Sequence, residues 1–290
     1  IDQKALVAPH VKWVAQVKRV RELAPVLNKA MQIAKEGIPG PVFVEIPVDL
    51  LYPEATVREW YGQKNEAGKS LVEKITHWYI NRHVNNLFSG VSETIHPPRK
   101  VQNLAAAASE VDAVVAALKR AERPVLVVSS GAMLQPQNAS ELSLVLQKLG
   151  IPTYLSGMAR GMLGRQFPTQ YRHERKKALR EADLILLAGV AVDFRLDYGR
   201  QLSRKAVKIA VSRSREELHK NLKADQRILA DPGQLLTAVG GKATGLPTWE
   251  IWRNTLDERE KTREAQIAKQ ADLPAESINP IALFRRLEEL

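Results

Sequence analysis

The sequence predicts an α/β protein built around a doubly wound parallel sheet, and three observations carry that prediction. Helical and strand-like patterns alternate from residue 103 onward, the order that lays helices over a parallel sheet. The strand-like runs are apolar without a break, as in Leu184, Ile185, Leu186 and Leu187, which suits strands covered on both faces. Nearer the start, one amphipathic helix leads directly into a short strand rich in β-branched residues.

That first helix spans 20–36, where Val20, Leu23, Leu27, Ala30, Met31 and Ala34 recur at helical spacing and Gly37 follows as the C-terminal cap. Pro39, Gly40 and Pro41 then mark a tight entry into a buried strand. Val42, Val44 and Ile46 share one of its faces by twofold alternation. From Leu51 to Val101 periodicity is poor and turn residues recur, among them Pro53, Gly62, Gly68, Gly90, Pro97 and Pro98, as expected of a connection between domains. Its centre, residues 77–88 (HWYINRHVNNLF), reads as a short helix packed on the protein, on a partner or on a membrane surface. Beyond it the pattern predicts helices over 104–121, 138–149, 172–182, 214–220 and 232–239, and strands at 124–129, 152–155, 184–187 and 207–211. After Gly245 a long charged helix from Trp249 to about Gln270 precedes a new amphipathic start at Ile281. Four segments result: 1–52, the end of one α/β domain; 53–102, a connection; 103–245, a central domain; and 246–290, a linker with the start of a further domain.

Composition narrows the function classes. With 290 residues, 44% hydrophobic and 26% charged, the chain is long enough for more than one core. No apolar run approaches the roughly 18 residues of a membrane span. The absence of cysteine excludes disulfides and thiolate chemistry. A net charge of +11 raises nucleic acid as a partner, but the cations are spread from Lys4 to Arg286 without aromatic platforms between them. Solvated faces and small anions account better for them. The start at Ile1 and the final run RRLEEL both read as cuts within a longer protein.

In open parallel sheets ligands sit beyond the carboxyl ends of the strands, so the loops there supply the candidates. Gly131 follows the first central strand, and Gly157, Arg160 and Gly161 lie in the loop 156–164 (SGMARGMLG). Gly189, Asp193 and Arg195 lie in 188–199 (AGVAVDFRLDYG), Ser212 and Arg213 in 212–217 (SRSREE), and Asp231 further on. Glycines there let backbone approach an anion, although a glycine after a strand is more often a plain turn. No GxGxxG fingerprint, Walker loop or GxSxG elbow occurs. His10, His77, His83, His96, His173 and His219 lack metal-ligand spacing and read as structural or solvated.

Residues 9–17 (PHVKWVAQV) and 30–50 (AMQIAKEGIPGPVFVEIPVDL) resemble the end of the pyrimidine-binding domain of acetolactate synthases and their thiamine-diphosphate-dependent relatives. Downstream, RPVLVVSSG, GIPTY, ADLILLAG, DFRLDYG and ADPGQLL occur in the order of that family's Rossmann-like central domain. Within the family, SGMARGMLG, WYINRHVNNLF and VSRSREEL resemble the acetolactate synthase-like or 2-hydroxyacyl-CoA lyase branch of the endoplasmic reticulum.

The resemblance implies an intracellular enzyme of three α/β domains, associated with that membrane, that makes or breaks a carbon–carbon bond beside a carbonyl. It implies thiamine diphosphate and magnesium held between subunits of a homodimer or homotetramer, and a 2-hydroxyacyl-CoA or 2-oxo acid substrate. The glutamate and the GlyAspGly-to-Asn segment that hold the cofactor in the family are not among these residues, so the chain alone is expected neither to bind thiamine diphosphate tightly nor to turn over. By the same resemblance Lys12 lies beside a substrate channel.

The central cleft of relatives holds FAD or ADP. Here Ala191 stands where an arginine is usual, Arg195 matches a second arginine, and Ser212 and Ser214 replace acidic residues that hold a ribose. Whether FAD, ADP or coenzyme A fits is left open. If a nucleotide binds, Arg213 favours one with a phosphorylated ribose, such as the 3′-phospho-ADP part of coenzyme A. Otherwise Arg213 and Arg215 are solvated or pair with Glu216, Glu217 or Asp193. The rival from another class is a non-catalytic nucleotide-binding or oligomer-building module.

Overall fold

The computed structural model describes residues 1–61, 70–90, 97, 104–135 and 138–288, and the chain separates into two units, 1–102 and 103–290. The expected turn residues Gly62, Gly68 and Pro98, with Val101 and His96, lie outside the described residues.

The first unit opens with a short helix, α1 (Gln3–Val7), followed by β1 (Trp13–Gln16), α2 (Leu23–Lys35) and β2 (Val42–Glu45). β1 and β2 pair in parallel, with Trp13 opposite Val42 and Gln16 opposite Glu45. Gly37 takes φ +55° just past α2, the left-handed cap a glycine supplies without a Cβ penalty. The expected helical stripe is rotated: Leu27 and Met31 are exposed, while Ala30 is buried and Val26 and Ile33 are half-buried. The strand itself is half-buried along its length, a correction to the expected buried strand, because its ladder has a single partner among the described residues.

The stretch expected to be a connection of poor periodicity contains two helices, α3 (Glu54–Trp60) and α4 (Leu71–Phe88). Ser70 and Glu73 cap α4 reciprocally, the hydroxyl accepting from Val72 N and the carboxylate from Ser70 N. That capping box starts the helix six residues before the expected His77. Arg58 ties the pair together by donating to Asn81 and Asn85.

The second unit alternates helix and strand: α5 (Ala108–Arg120), β3 (Pro124–Val128), α6 (Ala139–Leu149), β4 (Thr153–Leu155), β5 (Gln170–Tyr171), α7 (Arg175–Glu181), β6 (Leu184–Ala188), β7 (Val207–Ser212), α8 (Arg215–His219), β8 (Gln226–Leu229) and α9 (Pro232–Lys242). The strands form one parallel sheet in the order β5-β4-β3-β6-β7-β8. Numbered within this unit, that order is 3-2-1-4-5-6, the doubly wound arrangement whose direction reverses between β3 and β6. Every residue of β3 and β6 is buried, as continuous apolar strands require when helices cover both faces. The periodicity missed β5 and β8, which have two and four residues and too little apolar pattern to show.

α10 (Glu250–Ala271) is the long charged helix expected from Trp249 to about Gln270, and it packs on the sheet. Trp249 and Trp252 are buried in the sheet's own core and donate their indole N–H groups to Ala121 O at 2.8 Å and Pro124 O at 3.1 Å. Leu256, one turn on, is buried with them. The helix is charged on most of its surface, so a narrow stripe anchors it while the remainder faces water. α11 (Pro280–Glu288) follows, its first turn held by Asn279, whose Oδ1 accepts from Ile281 N.

Candidate functional site

At the reversal point the loops after β3 and β6 press backbone to backbone. Ser129 N donates to Ala188 O, and Gly131 N donates to Gly189 O, each at 3.0 Å. A Cβ on Gly131 would lie 2.7 Å from Gly189 Cα, and one on Gly189, at φ +65°, would lie 2.4 Å from Ala132 N. These glycines therefore pack one loop against the other, which is the plain-turn reading of their sequence signal extended to a tight contact. The loop after β4 joins them: Ser130 Oγ accepts from Met158 N at 3.1 Å, and a Cβ on Gly157 would strike that hydroxyl at 2.2 Å.

On the β7 and β8 side the candidates are engaged with one another. Arg213 Nε donates to Asp231 Oδ2 at 2.8 Å, its Nη2 reaches the same oxygen, and both side chains are nearly buried. Asp231 also accepts from Gln234 N at 2.8 Å as the N-cap of α9. Ser212 is buried, its hydroxyl donating to Glu217 and accepting from Ser214 N. This corrects the expectation for Arg213. Arg213 pairs with an aspartate eighteen positions later that the β8 return brings alongside. An acid is present here, Asp231, and each of its oxygens already accepts within the fold, one from Arg213 and the other from Gln234 N.

Lys12 is engaged within the first unit. Its ammonium donates to Ile33 O at 2.5 Å and Glu36 O at 2.6 Å, capping the carbonyl end of α2, where a cation is favoured.

The open part of the site lies beyond β4 and β5. A cleft of about 540 Å³ is lined by Tyr154 and Tyr171 and by five cationic side chains, Arg160, Arg172, Arg175, Lys176 and Arg195, with no carboxylate in its walls among the described residues. Gly161 lines it at φ +89° with open space around the missing Cβ. Asp193 caps its own turn through Arg195 N and pairs with Arg195 Nη1 at 2.6 Å from behind the cleft. Arg175 reaches Arg195 O at 3.0 Å. Burial lowers the Arg175 pKa from its usual value, and the nearby Arg160 lowers it further. Among the described residues the guanidinium of Arg160 has no hydrogen-bond partner. Burial raises the Tyr154 phenol, with Glu260 adding to the effect, and burial also raises Tyr171, with Asp257 adding. Both phenols thus stay neutral, and the cleft's charge is set by its cations.

A group of cations in which, among the described residues, only Arg195 pairs with a carboxylate attracts an anion with several charges. The sequence candidates Arg160, Gly161 and Arg195 meet here, whereas Arg172, Arg175 and Lys176 were missed. The compact run RHERKK at 172–177 is the sequence signal that carries them.

Residues 111–239 match the family model described as the thiamine pyrophosphate enzyme central domain. The 2-hydroxyacyl-CoA lyase 2 of Danio rerio is 39% identical over 296 residues, covering 100% of this chain and 48% of that protein. That of Homo sapiens is 38% identical over 296 residues, covering 100% and 46%. Among solved structures, a thiamine diphosphate-dependent 4-hydroxybenzoylformate decarboxylase from Rhodococcus jostii aligns with a TM-score of 0.56 at 20% identity, over 85% of this chain and 43% of that one. The chain spans about half the length of the curated relatives it matches.

Proposed function

Since residues 111–239 are a thiamine pyrophosphate enzyme central domain and the chain belongs to that family, we propose that it is part of an enzyme acting on 2-hydroxyacyl-CoA, making or breaking the bond beside the carbonyl. Two relatives named as 2-hydroxyacyl-CoA lyases and aligned along the whole chain support the substrate class. Thiamine diphosphate with magnesium, when bound, would supply the electron sink for that bond. No GlyAspGly segment of the kind that holds them occurs in this sequence. The reading includes a homo-oligomeric protein and an association with the endoplasmic reticulum membrane; no helix among the described residues is long and apolar enough to cross one.

The contribution assigned to this chain is charge. The observation that carries the assignment is the cleft with five cations and, among the described residues, no carboxylate in its walls. It would hold the phosphates of the 3′-phospho-ADP part of coenzyme A, which carries more charge than FAD or ADP and so gains more from the same cations. The switch-point glycines would hold the loops that carry Arg160 and Arg195.

The test uses the longer protein that contains this chain, supplied with thiamine diphosphate and magnesium and offered 2-hydroxyacyl-CoA and 2-oxo acids. Turnover of the acyl-CoA is expected. Turnover of 2-oxo acids alone would move the protein to the acetolactate synthase type. Inactivity toward both, in a folded protein, would favour a nucleotide-binding or structural module.

A further inference from the structure

Beside the outer end of the cleft, three side chains that commonly ligate metals converge. His173 lies between β5 and α7, whereas Glu260 and Glu264 are four positions apart on α10 and therefore share a face of that helix. His173 Nε2 is 2.9 Å from Glu264 Oε1 and 3.7 Å from Glu260 Oε2. One ligand atom from each residue lies within 4.8 Å of the other two. Glu260 is fixed before any ligand arrives. Its Oε1 accepts the backbone N–H groups of Arg172 and His173, which leaves Oε2 toward the imidazole.

We propose that His173, Glu260 and Glu264 form a site for one divalent transition-metal ion of the zinc class. An ion with bonds of about 2.0–2.2 Å holds its ligand atoms roughly 3.0–3.6 Å apart. The two distances from the imidazole are already close to that range, and Glu264, more than half exposed, is free to swing in and close the third. One imidazole nitrogen with two carboxylates favours zinc over magnesium or calcium, which prefer shells made entirely of oxygen. Three protein ligands leave a further position for water.

The consequence is mechanical. Glu260 holds the backbone of Arg172, and Arg172 lines the cationic cleft, so the ion would fasten that wall to α10. Without an ion the same groups form a hydrogen-bonded clip, with a charge on the imidazole only when it is protonated.

Calorimetric titration of the untagged chain with zinc chloride, and separately with magnesium chloride, separates these cases. Wild type is expected to take up one equivalent of zinc and to show no saturable binding of magnesium. His173→Ala and Glu264→Gln are each expected to weaken zinc binding at least about tenfold, since loss of an outer-shell partner alone costs about 10–100-fold. Glu264 is largely solvated, so Glu264→Gln carries the test even if the histidine variant folds poorly. Absent or non-saturable zinc binding, equal affinity for magnesium, or zinc binding unchanged in Glu264→Gln would overturn the proposal and leave a clip of hydrogen bonds.

Discussion

β2 and β3 carry similar sequences, VFVE and PVLVV, and meet different fates. β3 is buried at every residue between β4 and β6, whereas β2 is half-buried and ladders to β1 alone among the described residues. A short apolar run thus specifies strand, and the number of neighbours specifies depth. A matching contrast separates the two groups of arginines. Arg213 is enclosed with a carboxylate partner, while Arg160 lines a cleft with other cations.

The strand contrast yields the largest expected effect. Leu126→Asp places an unpaired carboxylate at a fully buried position, at a cost of several kcal/mol against a total stability of about 5–15 kcal/mol. The second unit should not fold, and its cooperative unfolding transition should be missing. Val44→Asp sits on the half-buried strand and should lower the melting temperature of the first unit by a smaller amount. Equal effects of the two substitutions would contradict the difference in depth.

Next in size, Arg213→Ala leaves Asp231 buried without its cation, a loss of about 3–5 kcal/mol by urea denaturation. Arg160→Ala should change stability by less than about 0.5 kcal/mol, since it removes no buried contact. A stability-neutral Arg213→Ala would show that Arg213 does not hold the β7 and β8 loops.

The glycines give a smaller effect than the loss of Arg213. Gly189→Ala combines a positive φ with a backbone clash at 2.4 Å, while Gly161→Ala meets the positive φ alone. Left-handed strain of about 1–2 kcal/mol is common to both, so the difference reads the clash, and denaturation should place Gly189→Ala at least about 1 kcal/mol below Gly161→Ala.

Much of the fold was legible because long apolar strands and amphipathic helices carry their own period. Elements whose identity depends on distant partners were not. β5 has two residues and β8 four, while α10 was legible as a charged helix but not in its anchoring to the sheet's core by Trp249, Trp252 and Leu256. The candidate site was legible to the extent that loops after strands mark a place. Arg160, Gly161 and Arg195 line the cleft, and Gly131 and Gly189 meet at the reversal point. Sequence could not show that Asp231 takes Arg213 or that α2 takes Lys12, since both follow from chain returns. Arg172, Arg175 and Lys176 gather only once β5 sets the loop before α7.

The central claim, that the cleft selects a multiply charged anion through its cations, is tested most directly by competition calorimetry of coenzyme A, dephospho-coenzyme A, ADP and FAD. Wild-type protein, Arg160→Ala and Arg175→Ala are compared at fixed salt. The account predicts that coenzyme A binds wild type most tightly, that removing its 3′-phosphate weakens it, and that each substitution lowers its affinity more than that of FAD. FAD binding as tightly as coenzyme A, or both variants binding coenzyme A like wild type, would contradict it.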